Sequence, residues 1–139
     1  MYKMMVYLMA TLLIAAVVYA LISNTVYIEG CLYMPGAYIR YSTSGAPFYI
    51  IATLTDLIRY DDYYCRNPTY AFSYDQVYLE VFASGASYFE RYGRCVELGE
   101  SVSLNVDASR ASEHGTSVVH GCTSVKSYYV TVKYTSYYD

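Results

Sequence analysis

The chain has 139 residues, a length that fits one compact domain and leaves little room for two. Nine Lys and Arg against 12 Asp and Glu give a formal charge of −3, which excludes the clustered basic footprint that nucleic-acid binding needs. Intrinsic disorder is excluded as well, because 55% of the residues are apolar or aromatic and only 15% are charged.

The N-terminus sets the compartment. Lys3 is the only charged residue before Glu29, and Met4 to Ile22 is apolar all round. As a helix this stretch would be about 28 Å long, close to the hydrocarbon thickness of a bilayer. The expected organisation is therefore a hydrophobic helix over 1–23 and a second unit over 24–139, hinged at Ser23-Asn24-Thr25. One role for the helix is a secretory signal, with Val18-Tyr19-Ala20 as a small-x-small cleavage site. The other is a retained anchor in which Leu8, Leu12, Leu13, Ala16, Val17 and Ala20 contact lipid or neighbouring helices. Both roles bring residues 4–22 to a membrane at least during export, and both place the rest of the chain outside the cell.

Cys31, Cys65, Cys95 and Cys122 are separated by 34, 30 and 27 positions, unlike the close pairs of zinc or redox sites. In an exported domain they are expected to form disulfides, with three pairings open.

From Val26 onward, period-two alternation rich in Tyr, Val, Thr and Ser predicts short strands. In chain order these lie near 26–33, 37–42, 47–54, 69–74, 77–82, 86–91, 94–98, 101–107, 116–120 and 126–139. Thr55 to Tyr60 is expected to be a short helical turn. Turn signals include Ser44-Gly45, Ser84-Gly85, Tyr92-Gly93 and Gly99. Val102, Leu104 and Val106 alternate with Ser101, Ser103 and Asn105, the pattern of a strand with one wet face. In the last strand Tyr128, Val130, Val132 and Tyr134 share a face. Strands of this length and spacing predict a mainly β fold, an antiparallel β-sandwich of Ig-like or jelly-roll-like type, preceded by the one N-terminal helix.

The chain contains 21 Tyr and no Trp. The pairs Tyr63-Tyr64, Tyr128-Tyr129 and Tyr137-Tyr138 each place one ring on either face of a strand, so they are candidate surface contacts. High strand propensity is the plainer reason for so many tyrosines. Three Asn and one Gln also fit a thermophile-like bias. The terminal segments 24–29 and 126–139 are candidates for strand exchange between copies.

No residue pattern assigns catalysis. His114, His120 and Cys122 stand close in sequence, but H-x5-H-x-C matches no ligand set for zinc or copper, and Asp61-Asp62 reads as a solvated turn. There is no G-x-S-x-G elbow, no phosphate loop and no dinucleotide fingerprint. The expectation is a non-enzyme with no metal or other cofactor and no nucleic-acid partner.

An apolar N-terminal helix followed by a cysteine-bearing β domain resembles the plan of type IV pilin-like subunits. It also resembles secreted β-sandwich subunits that exchange a terminal strand, and surface proteins of viruses infecting thermophilic archaea. These resemblances imply a homo-oligomeric structural subunit of an extracellular filament or virion surface. The alternative is a secreted, tyrosine-rich binding module that recognises a glycan, a protein or a host surface.

Overall fold

In a computed structural model of the chain, residues 23–32, 38–60, 70–71, 76–122 and 127–138 are described. All regular elements among them are strands: β1 (Ser23–Leu32), β2 (Ile39–Ser44), β3 (Tyr49–Tyr60), β4 (Tyr70–Ala71), β5 (Val77–Gly85), β6 (Tyr88–Val96), β7 (Ser101–Asn105), β8 (Glu113–Gly121) and β9 (Ser127–Tyr137). The expected helix, with its anchor positions Leu8, Leu12, Leu13, Ala16, Val17 and Ala20, lies outside the described residues. So do Asp61-Asp62, Tyr63-Tyr64 and Cys65.

Two antiparallel sheets form a sandwich. One runs β1-β9-β3, with β4 and β7 both paired to β3; the other runs β2-β8-β5-β6. With the two-residue β4 set aside, the order β1-β9-β3-β7 over β2-β8-β5-β6 is that of a jelly roll rather than an Ig-like sandwich. The alternation seen in the sequence places Ile28, Ile50, Ala52, Leu54, Val130 and Val132 of the first sheet against Leu79, Val81, Ala83, Val96 and Val118 of the second, all buried. Phe82 points the other way and is nevertheless buried, with the Arg40 guanidinium 4.7 Å from its ring centroid.

Three expectations are corrected by this architecture. Residues 55–60 are not a helical turn but the second half of β3. The register with β9 passes from Leu54–Val132 to Asp56–Thr131, so Thr55 is the extra residue of a β-bulge. The bulge lets Leu54 and Leu57, three apart, both face the core, a spacing that mimics a helical period.

The strands expected at 86–91 and 94–98 are one strand, β6, running through Tyr92-Gly93. Gly93 marks a close approach here and not a turn: a Cβ on it would lie 2.6 Å from the Tyr78 hydroxyl, so the Tyr78 ring fills the space a side chain would take. The hinge assigned to Ser23-Asn24-Thr25 is instead the start of β1, paired with Tyr137, Ser136 and Thr135. Within the chain, residues 127–137 form β9, which is hydrogen-bonded to β1 on one side and β3 on the other. Among the described residues β1 is the first strand and lies at the sheet edge.

A disulfide joins Cys95 on β6 to Cys122 just after β8. β5 lies between those strands in the sheet, and Cys122 N–H donates to the carbonyl of Gln76, just before β5, at 2.8 Å. Cys31 is disulfide-bonded too. Such bonds fit an oxidising compartment.

Candidate functional site

Residues directly opposed in a ladder share a face, so the register decides which side chains meet between the sheets. Along most of the sandwich these are aliphatic. At the end bounded by β1 and β2 they become polar. Asn24 pairs with Ser136 and Val26 with Tyr134 in one sheet, while Thr43 pairs with His114 in the other. Tyr138, just past β9, closes this end. A cavity of about 220 Å³ lies among Asn24, Thr25, Val26, Thr43, Ser44, Tyr134, Ser136 and Tyr138.

His114 anchors the site from behind. Its ring is fully buried. Nδ1 is hydrogen-bonded to the Tyr134 hydroxyl, and Nε2 lies 3.0 Å from the Tyr138 hydroxyl. The Thr43 hydroxyl is 3.0 Å from Nε2 and 3.2 Å from Nδ1. The Tyr134 ring stacks on the imidazole at 5.7 Å, and the Tyr138 ring meets it edge-on at 6.0 Å. Burial lowers the His114 pKa to about 4, against a small opposing pull from Glu113, so the ring is neutral at ordinary pH. Burial pushes the Tyr134 hydroxyl well above its usual range, so it stays protonated.

The loop over this end depends on Gly45, which has φ +122° and donates its N–H to the Ser112 carbonyl at 3.0 Å. A Cβ there would lie 3.1 Å from the Tyr138 ring, so the glycine serves both the turn and the close approach.

Among the described residues, the opposite side of the sandwich, between β6 and β7, is open. A groove of about 1040 Å³ runs along Phe89, Glu90, Arg91 and Tyr92 of β6 and Ser103, Leu104 and Asn105 of β7. Phe89 is 61% and Tyr92 47% exposed, and among the described residues β6 pairs only with β5. The walls are braced. Arg94 bridges Glu100 at 3.0 Å and donates to the Ser101 carbonyl at 2.9 Å. The Glu97 N–H, and after it Arg94, hold the Glu100 carboxyl below the usual carboxylate range. The Tyr88 hydroxyl accepts from the Asp107 N–H at 3.1 Å.

The residues singled out in the sequence distribute unevenly. Tyr128 is not a surface contact: it is buried, because it shares the inward face of β9 with Val130. Tyr129 is half-buried and its hydroxyl donates to Glu29 at 3.2 Å. Tyr137 packs at 5.6 Å on Tyr49, and Tyr138 enters the polar cavity. His114 and His120 do not converge, since His120 stacks on Tyr78 at 5.3 Å while Cys122 is in a disulfide. No group of three or more metal-ligating side chains occurs among the described residues. The sequence marks Asn24 only as part of a hinge or exchange segment and Tyr92 only as part of a turn, and it does not mark Thr43, Ser136 or Phe89, because only the strand register brings each set together.

No protein-family model and no curated protein sequence matches the chain. Among solved structures it is similar to PirA at 8% identity and TM-score 0.42, covering 84% of this chain and 94% of that one. The mitogen of Yersinia pseudotuberculosis is similar at 10% identity and TM-score 0.43, over 85% of this chain and 88% of that one. The Drosophila melanogaster CENP-C cupin domain follows at 6% identity and TM-score 0.36, over 78% of this chain and 57% of that one.

Proposed function

We propose that this chain is a non-enzymatic structural subunit of an extracellular assembly, a filament or a virion surface, in which copies associate through an open sheet edge. The apolar segment before the sandwich anchors it or joins it to neighbouring subunits. The observation that carries this reading is the β6 edge. It is unpaired on its outer side among the described residues and carries the exposed rings of Phe89 and Tyr92. Such an edge, with exposed aromatics beside it, is a template for another strand.

The charge pattern on β6 favours a second copy as the partner. Two β6 strands paired antiparallel about Tyr92 would set Glu90 of each copy opposite Arg94 of the other. Both residues lie on the same face as Tyr92, so the pairing keeps each sheet's inner side inward. A jelly roll also suits packed shells and filaments, although the architecture alone assigns no function.

Cysteine cross-linking tests this arrangement. In the two-fold pairing the two copies of residue 92 are adjacent, so Tyr92→Cys is expected to yield a covalent dimer under mild oxidation. Ser112→Cys, exposed on another loop, is expected to stay monomeric in the same conditions. Equal yields from both variants would contradict the β6 contact.

A further inference from the structure

We propose that the polar cavity between β1 and β2 is a binding site for a single neutral, polyhydroxylated ring such as a hexose. It lies on the side of the sandwich opposite the β6–β7 groove, so it stands or falls independently of the assembly reading.

Three features point to this ligand class. The first is size: about 220 Å³ is below the ~300–1,000 Å³ of pockets for drug-sized molecules, so one small ring fits. The second is chemistry. Among the described residues the lining carries six hydroxyls and the Asn24 amide and no charged side chain, a set that suits a neutral ligand better than an ionic one. The half-buried Tyr138 ring supplies flat apolar surface beside those hydroxyls.

The third feature is the hydrogen-bond pattern imposed by His114. A neutral imidazole has one N–H donor and one acceptor nitrogen. Three hydroxyls crowd its two nitrogens, those of Tyr134, Tyr138 and Thr43, and the Ser136 hydroxyl donates in turn to Tyr138. With one N–H and one acceptor nitrogen shared among three hydroxyls, the cluster keeps both donor and acceptor capacity at the cavity wall, which matches sugar hydroxyls that do both. Asn24, Thr25 and Ser44 are exposed at the rim, so the cavity opens to solvent and admits either a free sugar or the end residue of a glycan.

The test titrates the full chain with the methyl glycosides of glucose, galactose and mannose by NMR, beside an array of glycans with neutral and acidic ends. Saturable binding of at least one glycoside, or array binding to glycans ending in a neutral hexose, is expected. The first outcome alone identifies a free sugar and the second a glycan terminus. Tyr138→Phe, which keeps the ring, and Asn24→Ala at the exposed rim should each weaken binding roughly three- to tenfold. Absence of binding in both formats, binding confined to acidic sugars, or affinity unchanged in both variants would overturn the proposal.

Discussion

The His114 imidazole on β8 and the Tyr134 hydroxyl on β9 belong to different sheets and are hydrogen-bonded across the space between them. This polar contact replaces aliphatic packing at one end of the sandwich, and the buried imidazole predicts a domain sensitive to acid.

The direction of that sensitivity follows from linkage. His114 has its folded pKa lowered to about 4 by burial, against 6.5 when unperturbed, so the unfolded state takes up a proton first. Stability contributed by the neutral ring is complete above about pH 6.5 and is lost as pH falls toward 4, by about 3 kcal/mol at most. Urea unfolding of the wild type from pH 7 to 4 should show this slope, and His114→Gln should flatten it. An equal slope in the variant would assign the acid sensitivity elsewhere.

The sandwich was legible from alternation alone, because Val102, Leu104, Val130 and Val132 keep strict period two and face one core. Two strands were misread where that period breaks. In β3 the extra residue Thr55 spaces Leu54 and Leu57 like a helix, and in β6 Gly93 looks like a turn although Tyr78 covers it. The cavity was illegible for a different reason. Residues 24, 43, 114 and 136 come together only through the ladders β1–β9 and β2–β8, which no local pattern encodes.

The bulge yields an unusual prediction. Deleting Thr55 leaves Leu54 and Leu57 facing inward, with Asp56 outward between them. The deletion should therefore cost less than Leu57→Ala, which empties a buried site and is expected to cost about 2–5 kcal/mol. Chemical denaturation of the two variants compares them, and a larger loss for the deletion would refute the bulge assignment.

Gly45→Ala meets two obstacles at once, a left-handed backbone and the Tyr138 ring. It should destabilise the domain by about 1 kcal/mol or more and shift the Tyr138 ring resonances in NMR spectra. A neutral effect on both would show that the loop can rearrange.

The Cys95–Cys122 bond closes a loop of sequence separation 27. Replacing both cysteines by Ala should lower stability by about 3 kcal/mol, chiefly by freeing the unfolded chain. Calorimetry of the double variant beside the wild type checks this.

Association through the β6 edge is tested most directly by sedimentation of the full chain in a mild detergent, which occupies the apolar N-terminal segment. Wild-type protein is expected to form dimers or larger species with rising concentration, and Phe89→Glu combined with Tyr92→Glu to lose that association while keeping the wild-type circular dichroism. A wild type that stays monomeric throughout, or a double variant that associates equally well, would contradict the account.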